Sequence, residues 1–338
     1  MHMTSQTARS RSKGAAAAYR NKTKTYRRVS IALAALTAVG FAALPTFWLA
    51  NTYQVRVATL VMMWMGLATA WNIVSGFTGY ISFGHAALFG SGAYVVGLGT
   101  ARYDLELWVA LPLSFVLVGA LSFFFGLLTL RIKGHYFAIA TLGVAEAIRV
   151  LINYARSITE GVVGFPLPID LILIDPKVPY YIMLGGLIAV VITAAMILSS
   201  DFGIRLLAIR EDEAGAEALG INTARSKVIA FTISGAFSGF FGGMFAWILN
   251  FLSPESVLTP FVSLQVAVMV IVGGMGTIVG PLAGGLGFYM LSEFALVTAP
   301  RLNLLLLGSV LIVSMLFMRR GVFGTLMASR FWPRGFRL

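Results

Sequence analysis

The sequence contains no cysteine, which excludes a disulfide framework, a thiolate nucleophile and a cysteine metal site. Its three histidines, His2, His85 and His135, are too scattered to suggest a metal cluster. No paired carboxylates, histidine box or nucleophile constellation points to a membrane-embedded enzyme. Charge is scarce as well. It occupies 11% of the 338 residues, against 58% hydrophobic, whereas a soluble domain carries about 25% charge. With a mean hydropathy of +0.87, this much apolar surface cannot be hidden in a soluble core, so lipid must cover it. The net charge of +12 does not indicate nucleic acid. The positive residues sit in tails and short loops beside apolar spans, where membrane proteins keep their cytoplasmic lysines and arginines.

A spanning helix needs roughly 20 mostly apolar residues. Residues 29–55 give a first span, Val29–Ala50. Residues 57–101 carry no charge and are too long for one helix. They give Val57–Val74 and His85–Thr100, separated by the glycine-rich break Gly76–Gly84. Further spans are expected over 107–130, Tyr136–Tyr154, 178–200 and 228–249. Residues 256–292 split into two spans at a second glycine-rich break, Gly273–Pro281, and Leu302–Met318 is the last. The expected fold is therefore all-α, a polytopic membrane helix bundle of about ten transmembrane helices with two glycine-rich breaks. Segments 1–28, 131–135, 200–227 and 319–338 hold 19 of the 25 lysines and arginines, which places both termini in the cytoplasm. The organisation is a basic cytoplasmic tail 1–28, a transmembrane domain 29–318 with a cytoplasmic loop 199–227, and a basic cytoplasmic tail 319–338. The first span follows a basic stretch as a signal peptide would. Its apolar run is longer than a signal core and lacks a clear cleavage site, so a retained helix is expected.

Interior polar groups in lipid need partners. Asn72, Gly79, Ser82, His85, Glu146, Gln265 and Gly276 are candidate translocation-path residues, and Asn72, Ser82, His85 and Gln265 are expected to face protein. Paired breaks in the two halves of a transporter point to its pathway, because non-helical backbone at membrane depth survives only inside protein or beside a water-filled cavity. The plainer reading of the breaks is two tight turns at the membrane surface. Glu146 and Arg149 share a helical face as a functional or a structural ion pair, and His85 reads as a packing residue or a substrate contact. Gly235, Gly239 and Gly243, like Gly276, Gly280 and Gly284, form tandem G-x-x-x-G patterns that suit close helix approach. For the first set, helix packing suffices.

Residues 199–227 are the longest polar segment between spans. A short helix is expected over Ala208–Leu219, acidic in its first half and stopped by Gly220. It is either a docking element for a cytoplasmic partner or a solvated connector. This loop resembles the Glu-Ala-Ala coupling loop of ABC importer permeases. R-x-x-A-I-R-E-D-E-x-x-A-E-A-L-G-I-N, Arg205 to Asn222, resembles in particular the LivM-type branched-chain amino acid permeases. So do Trp71-Asn72, the stretches Gly76–Tyr94, Arg131–Arg149 and Val272–Pro281, and the final R-R-G-V-F-G, Arg319–Gly324. The block Arg131–Arg149 is of the LivM type rather than that of its shorter LivH-type partners. The sequence departs from the family at Tyr80, where Gln is common, and at Thr159-Glu160-Gly161, where T-G-G is usual. The Glu-Ala-Ala spelling itself is degenerate.

The resemblance implies a non-enzymatic permease subunit in a bacterial plasma (inner) membrane. Its partners would be a second, LivH-type permease, two cytoplasmic ATPase subunits and an extracytoplasmic solute-binding protein. ATP would be bound by those partners and no cofactor by this chain. The sequence agrees on one point: no G-x-x-x-x-G-K-[ST] occurs, so the chain has no Walker A phosphate loop. Arg210, Glu211, Asp212, Glu213, Glu217, Ala218 and Gly220 would form the ATPase coupling loop, with Ile209, Ala214 and Leu219 as its apolar contacts. The solute would be a branched-chain amino acid or a related small polar solute. Urea, short amides and aromatic acids are alternatives within the family, and an ion-coupled secondary transporter using Glu146 and Glu293 is the alternative outside it.

Overall fold

A computed structural model describes residues 40–41, 51–132, 134, 136–168, 174–298 and 308–309. The first and last expected spans and both basic tails lie outside the described residues, apart from short helical pieces at 40–41 and 308–309. The other eight expected spans are all helical. Helix α1 is Thr52–Trp71, continued by a π-helical turn over Asn72–Gly76. Next come α2 (His85–Arg102), α3 (Leu107–Thr129), α4 (Tyr136–Tyr154) and a single turn α5 (Arg156–Thr159). After α6 (Lys177–Leu198), two short helices, α7 (Asp201–Glu211) and α8 (Glu213–Ala218), lead into α9 (Thr223–Leu249). A single turn α10 (Pro254–Val257), α11 (Pro260–Gly273) and α12 (Val279–Thr298) follow. The only extended pairing among the described residues joins β1 (Phe165–Pro166) to β2 (Phe251–Leu252), antiparallel.

Among the described residues, seven helical stretches are long and apolar enough to cross a membrane. Helix α2 is not one of them. It is interrupted by Gly90, Gly92, Gly97 and Gly99 and is mostly buried in protein, so its environment is other helices rather than lipid. Its principal neighbour is α9, which also packs extensively against α3. Glycine makes this possible. A Cβ added at Gly92 would lie 2.0 Å from the Gly239 carbonyl oxygen, and one at Gly242 1.8 Å from that of Phe89. The tandem glycines of α9 are therefore packing residues, with Gly235 against Ser122 and Gly239 against Val118 of α3. Glycine plays the same part between α11 and α12, where a Cβ at Gly284 would meet the Met269 carbonyl oxygen at 1.9 Å.

The expected helix over Ala208–Leu219 is not continuous. It is split at Asp212, whose backbone is extended (φ −156°, ψ 106°) while its carboxylate accepts the Ala214 N–H at 3.0 Å. Asp at a helix start satisfies a backbone donor that has no partner within the helix. Capping α8 wins here over continuing α7. The stop at Gly220 is as expected. Its φ is +83°, and the Ile221 N–H bonds to the Ala216 carbonyl while the Gly220 N–H bonds to that of Glu217, the Schellman pattern. Helix α9 also starts earlier than the apolar run suggests. Asn222 caps it by accepting the Arg225 N–H at 2.9 Å, which brings Lys227 into the helix.

Candidate functional site: two helix breaks and the loop that meets them

The first break begins where α1 unwinds into its π turn. Gly79 has φ +78° and is exposed. The stretch Tyr80–Gly84 is then braced by side chains. The Trp71 indole donates to the Ser82 carbonyl at 2.8 Å, and the Ser82 N–H donates to the Ser75 hydroxyl at 3.2 Å. The Phe83 N–H donates to Thr141 of α4 at 3.1 Å. Ser263 of α11 donates to the Phe83 carbonyl and accepts the Ala86 N–H, both at 2.7 Å. The irregular backbone of the break thus finds its partners in protein.

Buried His85 extends the bracing. The Ser234 hydroxyl donates to the Ala70 carbonyl at 2.6 Å. A carbonyl only accepts, so in the neutral ring His85 Nε2 must donate to Ser234, at 2.7 Å. Nδ1 then accepts from the Ser82 hydroxyl at 3.1 Å, and that hydroxyl accepts the Gly84 N–H at 3.3 Å. Both ring nitrogens are engaged within the protein.

The second break is Gly274–Ile278, shorter than expected because Pro281 lies in the first turn of α12. Gly274 and Gly276 carry φ of +125° and +83°. The Thr277 hydroxyl donates to the Gly274 carbonyl and accepts the Gly280 N–H, both at 2.9 Å.

Asn72 joins the two breaks. Fully buried, its carboxamide accepts the Gly276 N–H and donates to the Thr277 carbonyl, both at 2.8 Å. Arg210, near the end of α7, joins both breaks to the loop. Its Nη1 donates to the Gly76 carbonyl at 2.9 Å and occupies the place of a Gly276 side chain: a Cβ there would lie 2.1 Å away. The aliphatic part of Arg210 covers Gly79, whose added Cβ would be 3.2 Å from its Cγ.

A second junction lies beside the first. Lys227 of α9 is almost wholly buried and donates to Glu213 of α8 at 2.6 Å. Its ammonium also sits 4.2 Å from the centre of the Tyr80 ring, and the Tyr80 hydroxyl donates to Glu213. Burial first, and then the Glu213 carboxylate, push the Tyr80 hydroxyl pKa upward. Glu213 is therefore an internal residue rather than part of an exposed acidic cluster. Ile209, expected on the docking face, is buried as well. From Arg210 to Gly220 the exposed residues are Arg210, Glu211, Asp212, Ala214, Glu217, Ala218, Leu219 and Gly220, with Leu219 83% exposed.

Of the expected interior residues, Asn72, Ser82 and His85 are fully buried and Gln265 is half-buried. Glu146 is not brought to the breaks. It pairs with Arg149 on α4. Ser234, Ser263, Thr141 and Lys227 were not singled out by the sequence. Serine and threonine are common along helices, so only their contacts distinguish these.

The chain matches the family described as "Branched-chain amino acid transport system / permease component" over residues 53–315. It is 31% identical to the high-affinity branched-chain amino acid transport system permease protein LivM of Escherichia coli strain K12, over 79% of this chain and 69% of that protein. With LivM of Salmonella typhimurium strain LT2 it shares 30% identity, over 80% of this chain and 69% of the relative. It is also 30% identical to the autoinducer 2 import system permease protein LsrC of Yersinia enterocolitica, over 51% of this chain and 48% of that one. All three relatives are transport permeases.

Proposed function

The chain belongs to the family of branched-chain amino acid transport permeases, as a LivM-type multi-pass membrane protein, and on that premise we propose that it is the translocating subunit of an ATP-driven importer for branched-chain amino acids. It catalyses no reaction itself. A second permease, two ATPases and a solute-binding protein complete the assembly, and ATP is bound by the ATPases alone. The loop and the breaks lie on the cytoplasmic side, as do both termini.

The single observation that carries this reading is the reach of Arg210 from the loop into both breaks. A connector with no mechanical role has no reason to bond the backbone of one interrupted helix and fill the space over the glycine turn of another. A loop helix that does so transmits displacement. When an ATPase moves α7 and α8, the Gly76 carbonyl and the Gly276 turn are pulled with Arg210, while the Tyr80–Glu213–Lys227 junction keeps α8 attached to α9. Small shifts become discrete rearrangements because packed interiors are bistable rather than continuously deformable. The breaks open and close the path, with Asn72 holding them together in the closed arrangement.

The test is leucine uptake by membrane vesicles, with recovery of an ATPase on the affinity-tagged chain. Uptake that needs ATP, survives ionophores that collapse proton and sodium gradients, and accompanies a co-purified ATPase is the expected result. Uptake without ATP that ionophores abolish would establish a secondary transporter instead.

A further inference from the structure

Helix α4 is the least buried of the seven spans, and α1 the most. Phe137, Thr141, Ala145 and Ile148 form its buried stripe. Beside that stripe Glu146 and Arg149 form an ion pair, with Arg149 Nη2 2.5 Å from Glu146 Oε1 and Nε at 3.0–3.1 Å from both carboxylate oxygens. Their side chains remain 43% and 34% exposed. Glu146 lies ten residues beyond Tyr136, which at 1.5 Å per residue is about 15 Å along the helix and so near mid-span. A charged group facing hydrocarbon at that depth costs about 3 kcal/mol or more. The pair must therefore face protein or a water-filled path.

We infer that Glu146 and Arg149 form a recognition site for a zwitterionic solute, Arg149 taking its carboxylate and Glu146 its ammonium. The inference rests on the importer reading and assigns the side chains that hold its solute. With no solute present, the two side chains neutralise each other. A zwitterion replaces one ion pair with two and leaves no charge unpaired, an exchange that an uncharged amide cannot offer. Guanidinium suits the carboxylate because its planar fork binds both oxygens. Glu255, on the turn α10 packed against α4, lies within electrostatic reach of Arg149.

The test uses the assembled permease–ATPase complex in proteoliposomes, with radiolabelled leucine delivered by its own binding protein. Three variants are compared with wild type at matched complex recovery: E146Q, R149Q and the charge exchange E146R/R149E. The exchange keeps an ion pair on α4 but reverses its polarity along the helix. Uptake is expected to fall about tenfold or more in all three, the scale for removing or reversing one partner of a solute-binding charge pair. Wild-type uptake by the exchanged variant would overturn the inference and make the pair structural. If the single variants fail to assemble, the exchanged variant alone decides. Failure of the importer reading is distinguishable, because wild-type uptake would then not depend on ATP.

Discussion

The carboxamide of Asn72 accepts the Gly276 N–H at 2.8 Å, so one break is held by a side chain 204 positions earlier in the sequence. Its other end donates to the Thr277 carbonyl. Replacing Asn72 by Ala strands both backbone groups, at about 1–3 kcal/mol for each buried polar group left unsatisfied. N72D is expected to be at least as damaging, because a carboxylate would face the Thr277 carbonyl oxygen. Thermal unfolding of the purified chain in detergent measures both. An unchanged midpoint for N72A would remove Asn72 as the tie between the breaks.

Gly276→Ala meets two obstacles: φ of +83° and the Arg210 guanidinium in the space the methyl needs. The left-handed backbone alone costs about 1–2 kcal/mol. In an R210A background the clash with the guanidinium vanishes, while the backbone part and a 3.1 Å approach to the Gly76 carbonyl oxygen stay. The two substitutions together are therefore expected to destabilise less than the sum of each alone, a coupling readable from a double-mutant cycle. Strict additivity would mean that Arg210 does not occupy that place.

Lys227→Met leaves Glu213 buried without its cation, and breaking such a pair costs about 3–5 kcal/mol. Removing both charges as E213L/K227M is expected to restore much of that loss. Tyr80→Phe removes only the hydroxyl donor and, because the acceptor is the Glu213 carboxylate, costs about 1.5–3 kcal/mol. The Tyr80 pKa is raised in the folded state above its ordinary value of 10.0. Its stabilisation is thus complete below that pH and is lost as pH rises above it. Unfolding midpoints of wild type and Y80F should differ at pH 8 and converge at strongly alkaline pH. A constant difference would contradict the assigned hydrogen bond.

At the loop surface, charge reversal separates docking residues from structural ones. E211K changes an exposed group and is expected to lower ATPase recovery in a salt-dependent way without changing the unfolding midpoint. E217K does the same at an exposed carboxylate but also removes the acceptor of the Thr223 hydroxyl, 2.7 Å away, so it is expected to lower both recovery and midpoint. E213K, aimed at a buried lysine, should lower the midpoint itself. Gly220→Val is expected to leave the bundle assembled, because its Cβ would meet nothing within 4 Å. It should nevertheless weaken ATPase recovery by disturbing the left-handed stop of α8. Equal behaviour of all four variants would refute this division.

Much of the bundle was legible in the sequence, because uncharged runs of membrane length and glycine-rich interruptions follow directly from the requirements of a lipid solvent. The burial of Asn72, Ser82 and His85 followed from the same reasoning. What the sequence withheld were pairings between distant positions: Asn72 with Gly276, Arg210 with Gly76, and Lys227 with Glu213. No local periodicity encodes these. Lys227 read as a loop charge because the apolar run begins at Val228, although Asn222 carried a helix-start signal. Asp212 likewise held a capping signal inside what read as one helix. Tyr80, where the family commonly has Gln, stood in the sequence only as a departure from the family pattern. The structure places it at the junction with the loop, because its ring and hydroxyl complete the surroundings of Glu213 and Lys227.

The account turns on Arg210 transmitting motion from the loop to the breaks. The most direct measurement is the ratio of leucine transported to ATP hydrolysed by the reconstituted complex, for wild type and Arg210→Ala at equal ATPase content. The account predicts that the variant keeps its ATPases and hydrolyses ATP while this ratio falls about tenfold or more, the effect of roughly 1.4 kcal/mol of lost coupling. An unchanged ratio would contradict it.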